Sequence, residues 1–205
     1  PAAAIEINSV FPWKLSEYCE KTNTKLIHIT TDCVYSGKKG SYTEEDSHDA
    51  LDEYGKSKSL GENLTVTNIR TSIIGEEKHN KRSLLEWVMS NRDKTIDGYE
   101  NHIWNGVTCL ELSKLISEII KNNAFWTGVK HIFSPDTVSK YMLVSMINEI
   151  YDLNITINKK PTDNHCYRNL STSGDHMISK PLYDQILELR DFNLKTRETR
   201  ERGTE

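Results

Sequence analysis

The stretch from Lys25 to Glu62, KLIHITTDCVYSGKKGSYTEEDSHDALDEYGKSKSLGE, constrains the fold more than any other part of the chain. Leu26 to Ile29 is an apolar run too short for a helix and bounded by polar residues, which predicts a buried parallel strand. Thr30, Thr31 and Asp32 stand at its carboxyl end, where open α/β sheets place their ligands. A loop containing glycine, serine and acidic residues follows. Asp52 then reads as the N-cap of a helix that carries Tyr54 and Lys58. Four apart, those two side chains share a helix face.

The pair has a chemical use. Tyrosine titrates near pH ~10 and lysine near ~10.4, so a tyrosine is a poor acid-base group unless something stabilises its phenolate. A lysine ammonium one helical turn away is expected to lower that pKa by Coulomb attraction. A threonine hydroxyl at the strand end can hold a substrate oxygen while the tyrosine supplies a proton. Together these groups suit reduction of a ketone by hydride transfer.

The same stretch resembles the active-site region of the extended short-chain dehydrogenase/reductases, most of all the dTDP-4-dehydrorhamnose reductase group of sugar-nucleotide enzymes. The resemblance puts the catalytic Thr, Tyr and Lys at Thr31, Tyr54 and Lys58. It implies NADPH or NADH as cofactor, met by Thr30, Tyr54, Lys58 and the main chain near Thr71 in RTSIIG. The implied substrate is a 4-keto-6-deoxy sugar nucleotide, lined by Asp32, Cys33, Trp104 in NHIWNGVT, and Arg168 in YRNLS. A guanidinium suits a diphosphate. The family's Asp-Arg-Ser-Leu is altered here to Tyr167-Arg168-Asn169-Leu170. A homodimer is a further expectation of the resemblance.

Two other functions stay open. Cys33 could serve an epimerase-reductase as acid-base group, with His79 as its partner, or the chain could be a non-catalytic regulatory subunit. Dehydration is disfavoured, because dehydratases carry a glutamate directly after Thr-Asp where this chain has Cys33. Asn8, in the helix before the catalytic strand, falls near a family active-site asparagine.

The expected fold is α/β: the C-terminal part of a Rossmann-type parallel sheet with a small α/β substrate-binding lid interleaved along the chain. Residues 1–72 would complete the nucleotide-binding half. Residues 73–192 would form the lid with returning sheet elements, and 193–205 a disordered tail of alternating charges. Ile5, Val10, Leu15 and Tyr18 recur at near-helical spacing and predict a helix packing that face on the sheet. Further strands are expected at 64–71, 128–133 and 155–158, and helices at 110–122, 139–151 and 181–192. Ser83 and Ser139 read as N-caps, and Trp87 as core. No G-x-G-x-x-G is present, so the pyrophosphate turn is expected upstream and this chain alone should hold NADPH weakly.

At 205 residues with a net charge of −4 the chain shows no basic footprint for nucleic acid. No apolar run reaches a membrane span. The four cysteines and seven histidines form no metal-like spacing. The chain reads as cytoplasmic and reduced.

Overall fold

The computed structural model describes residues 2–77, 79–178 and 180–202. The chain opens with α1 (Ala2–Ile5) and α2 (Phe11–Lys21), joined by one π-helical turn, Glu6–Val10. There follow β1 (Ile27–Thr31), a 3-10 turn at Asp32–Val34, α3 (Glu53–Leu60), β2 (Thr67–Thr71), β3 (Ile73–Ile74), α4 (Leu84–Met89), β4 (Thr95–Tyr99), β5 (His102–Trp104) and β6 (Val107–Thr108). The chain continues through α5 (Cys109–Lys121), β7 (Gly128–His131), β8 (Val138–Ser139), α6 (Lys140–Ile150), β9 (Thr156–Lys160), β10 (Cys166–Tyr167) and α7 (Leu182–Arg202).

β1, β2 and β7 form a parallel sheet in the order β1-β2-β7. Its register sets Thr31 opposite Thr71 and Arg70 opposite His131. Ile69, Val107, Leu112, Ile119 and Ile132 form the core between this sheet and α5. The lid is built from short strand pairs that are distant in sequence: β3 with β6, β4 with β9, and β5 between β8 and β10. They surround α6, whose Leu143 and Ile147 are fully buried with Leu85, Leu182 and Ile186. Each such side chain contributes about 1.5–3 kcal/mol by leaving water. This mixed, interleaved α/β architecture is the one the sequence predicts.

The first helices depart from expectation. Pro12 has no N–H to give the Asn8 carbonyl, and its ring crowds the residue four back. The Phe11 N–H bonds Glu6 instead, giving the π turn. The face turned inward is then Ser9, Pro12, Ser16 and Cys19, while Ile5, Val10 and Tyr18 are exposed. Small residues are required there because Gly61 comes so close that a Cβ on it would lie 1.9 Å from the Asn8 carbonyl oxygen. At the other end, α7 runs on to Arg202 where a disordered tail from 193 was expected. Lysine, arginine and glutamate are good helix formers and continue a helix already anchored by Leu182, Ile186 and Leu189.

Candidate active site

Thr31 ends β1 in extended conformation, and its hydroxyl accepts the Cys33 N–H at 3.1 Å, which caps the 3-10 turn. The same hydroxyl donates to Asp32 Oδ1 at 3.2 Å. Helix α3 starts as expected at Asp52, whose carboxylate accepts the Gly55 N–H at 2.7 Å. Gly55 then lies against the turn: a Cβ would stand 2.1 Å from the Cys33 carbonyl oxygen. That close approach sets Tyr54, half exposed, beside Thr31 and Cys33.

Burial, and next the neighbouring Cys33, push the Tyr54 phenol above its ordinary pKa, against the polar Thr31 hydroxyl beside it. This direction is opposite to the one expected from its lysine neighbour. The Lys58 ammonium donates to the Ile29 carbonyl at 3.1 Å, and burial pulls its pKa down while Glu62 pulls it up. Tyr54 is thereby kept as a phenol, the form that gives a proton.

The loop after the turn is sewn to the lid by main-chain bonds. Tyr167 N–H donates to the Gly37 carbonyl at 2.7 Å, Tyr42 N–H to Asn169 at 3.1 Å, and Ser171 N–H to Tyr42 at 2.7 Å. These bonds place Arg168 at the catalytic turn, where Nη1 donates to Cys33 Sγ at 3.4 Å and Nη2 stands 3.9 Å from Asp52. Its Nε is buried without a hydrogen-bond partner. Asp32 is buried; desolvation raises its carboxyl pKa, opposed by Arg168. Burial and then Asp32 also hold the Cys33 thiol above its ordinary value.

Of the expected site residues, Thr31, Asp32, Cys33, Tyr54, Lys58 and Arg168 therefore gather at the carboxyl end of β1. Thr30 and Thr71 stand at the same end, but their side chains are buried, Thr30 donating to Glu62 at 2.9 Å and Thr71 to the Ser72 carbonyl at 3.4 Å. Asn8 is turned to Ser57 of α3 at 3.1 Å. His79 is exposed.

The two tryptophans exchange their expected places. Trp104, expected to line the substrate pocket, is 5% exposed and packs in the lid core with Nε1 donating to Ser72 Oγ at 2.8 Å. Gly106 makes this possible, since a Cβ there would lie 2.3 Å from the indole. Trp87, read as core, is 42% exposed. With Leu84, Tyr99, His102 and Lys140 it lines a cavity of about 530 Å³. Lys140 was not foreseen. It follows the Ser139 cap, lies over the Trp104 ring at 5.3 Å, and faces Asp32 and Cys33. A larger cavity of about 670 Å³ lies at the amino ends of β1, β2 and β7, away from these groups. Parallel sheets bind at their carboxyl ends, which sets the larger cavity apart from Thr31 and Tyr54; the smaller one is linked to Asp32 and Cys33 through Lys140.

The donor set suits a nicotinamide nucleotide in part. A phenol and an ammonium on the open side of β1, where Ile29 is 41% exposed, can meet a ribose and a carbonyl oxygen. Thr30 and Thr71 could contribute main-chain groups only.

The sequence profile described as the RmlD substrate binding domain matches residues 1–155. The chain belongs to that family. Among curated relatives, the dTDP-4-dehydrorhamnose reductase of Aggregatibacter actinomycetemcomitans is 30% identical over 138 residues, 62% of this chain and 47% of the relative. The protein named methionine adenosyltransferase 2 subunit beta of Rattus norvegicus is 24% identical over 172 residues, 75% of this chain and 50% of that one. This RmlD-family chain thus spans about half the length of the curated relatives it matches. Its fold is that of the dTDP-4-dehydrorhamnose reductase from Clostridium acetobutylicum, with a TM-score of 0.74 at 17% identity over 91% of this chain and 72% of that chain. A Bacillus anthracis enzyme of the same name, solved in complex with NADP, superposes at 0.71 with 18% identity over 88% and 70%. Among the described residues no group of three His, Cys, Asp or Glu could hold a metal ion, and no helix is long and apolar enough to cross a membrane.

Proposed function

We propose that this chain is the catalytic and substrate-binding part of an NAD(P)H-dependent reductase acting on a 4-keto-6-deoxy sugar nucleotide. The observation that supports the reading is Tyr54 beside Thr31 at the carboxyl end of β1, with Lys58 one turn along α3 and bonded to the Ile29 carbonyl. Residues 1–72 would then supply the proton-transfer groups, and 73–192 the lid over the substrate.

The nicotinamide supplies a hydride to the ketone carbon. Thr31 holds the ketone oxygen, and Tyr54, kept protonated by its surroundings, gives that oxygen its proton, so that C=O becomes CH–OH. Lys58, one turn along the helix, would offset the phenolate left behind by turning its ammonium from the Ile29 carbonyl. Lys140 lines the 530 Å³ cavity and faces Asp32 and Cys33, and Arg168 donates to Cys33; these two cations are the ones that would meet a diphosphate. Trp87 and Tyr99 offer flat apolar faces to a nucleoside. Epimerisation through Cys33 is less well supported, because burial and Asp32 keep it a thiol and His79 is exposed. The test is NADPH consumption by the full-length protein, with 4-keto-6-deoxy sugar nucleotides of different bases. Turnover with one of them supports the reading, and none with any member contradicts it.

A second reading rests on the match of 75% of the chain to proteins named as a subunit of methionine adenosyltransferase. Under it the chain would bind a partner enzyme and turn nothing over. Absence of NADPH consumption together with stable association with such an enzyme would favour it.

A further inference from the structure

Behind the candidate site one arginine is enclosed by four polar side chains, which offer it five acceptor atoms. Arg70, 2% exposed on β2, gives Nε to Glu62 Oε1 at 3.0 Å and Nη2 to Glu62 Oε2 at 2.5 Å. Nη1 reaches the Tyr35 hydroxyl at 2.5 Å and His131 Nε2 at 2.8 Å, and Nη2 reaches His48 Nε2 at 2.7 Å. A guanidinium only donates. Both Nε2 atoms must therefore be bare acceptors, and each ring's proton sits on Nδ1. That assignment agrees with the far sides of the rings: His131 Nδ1 faces the Ser171 carbonyl at 2.7 Å, and His48 Nδ1 faces Ser59 Oγ at 2.6 Å. Tyr35 gives its own proton to the Thr43 carbonyl at 2.9 Å, so it too accepts from the arginine.

The contacts span elements that the site needs in register. Arg70 is on β2, Ser59 on α3 with Glu62 just beyond it, Tyr35 and His48 in the loop between β1 and α3, and His131 on β7. His48 lies four residues before Asp52, the cap of the helix carrying Tyr54.

We propose that His48 and His131 are positioning residues that form an acid-sensitive clasp: as neutral rings they hold Arg70, and a proton on either sets N–H against N–H and frees the loop that places Tyr54. The charged groups facing His48 are Arg70 from β2, Glu62 from beyond α3 at 3.6 Å, and Asp49 from its own loop. Those facing His131 are Arg70 and Glu44, whose Oε1 accepts the His131 N–H at 2.8 Å. Burial first, and Arg70 next, hold both rings below their ordinary pKa, with the carboxylates opposing. Both Glu62 oxygens are already taken by Arg70, which limits what they offer a second cation. Depressed histidines stabilise the fold above the unfolded value of about 6.5, and that contribution is lost as pH falls from there through the folded values.

Imidazole nitrogen NMR on the chain tests this without any assumption about the reaction. The expected result is that both rings carry hydrogen on Nδ1 at neutral pH and take a second proton only below about 6.5, with the signals of residues 35–52 shifting together in the same range. A melting series from about pH 7 to about pH 5 on His48→Gln and His131→Gln, which keep an acceptor that cannot titrate, should show the acid-induced fall in Tm shrinking by about half in each. If His131→Gln does not fold, His48→Gln and the wild-type spectra decide. Hydrogen on Nε2, protonation at or above the ordinary value, or an unchanged acid response in His48→Gln would each overturn the proposal.

Discussion

Between residues 27 and 60 the groups of the candidate site are set mostly by neighbours close in sequence. Thr31 is fixed by Cys33, Asp52 caps through Gly55, and Gly55 lets α3 rest on the 3-10 turn. In the lid the reverse holds. β4 pairs with β9 and β5 with β10, across 61 and 64 positions of sequence at Thr95–Thr156 and His102–Cys166, and Arg168 reaches Cys33 over |i−j| of 135. The Thr31–Tyr54 region is thus a local structure mounted on a sheet, while the region of β4, β5, β9 and β10 depends on the whole core being packed. The two halves should fail differently when damaged.

The sharpest contrast comes from Tyr54→Phe in the full-length protein. Turnover should fall by about 10²- to 10⁴-fold with an unchanged melting curve, since a lost general acid costs that much and the ring stays. Leu143→Ala should do the opposite. Leu143 is fully buried in the lid core, and its truncation should cost about 2–5 kcal/mol of stability by denaturant titration. At temperatures where that variant is folded, the Tyr54 environment should be unchanged by NMR; a large change there would show that the two regions are not separable.

Gly55→Ala sits at the junction. With a Cβ 2.1 Å from the Cys33 carbonyl, α3 must move, at a cost of about 1–3 kcal/mol, and turnover should fall more than stability would predict. Normal turnover in a folded Gly55→Ala would refute the close-approach argument. The smallest effect expected is Asp52→Ala, which removes a cap worth about 1 kcal/mol and should fray the start of α3 by amide exchange while leaving lid amides unaltered.

The same contrast explains what could be read from the sequence. The Asp52 cap and the Tyr54–Lys58 spacing are short-range patterns found where the residues put them, while the strand runs Ile27–Thr31 instead of Leu26 to Ile29 and leaves Ile29 exposed. The caps Ser83 and Ser139 are legible for the same reason. Trp104 and Trp87 were not, because composition does not say which indole has a glycine beneath it. Lys140 was hidden because nothing local marks a lysine after a cap as facing an aspartate far away in sequence. The inward face of the first helices misled, since Pro12 breaks the regular period and Gly61 selects serines over larger apolar residues. The pKa direction at Tyr54 also escaped: spacing gives a shared face, but where an ammonium points depends on the Ile29 carbonyl that receives it.

The most direct test of the account is hydride transfer itself. The full-length protein would be given NADPH deuterated at the transferring position and a 4-keto-6-deoxy sugar nucleotide, and the product read by mass spectrometry and NMR. The account predicts one deuterium on the carbon that becomes CH–OH, with transfer slowed by about 10²-fold or more in Tyr54→Phe. No deuterium in the product, or transfer at an equal rate in Tyr54→Phe, would contradict it.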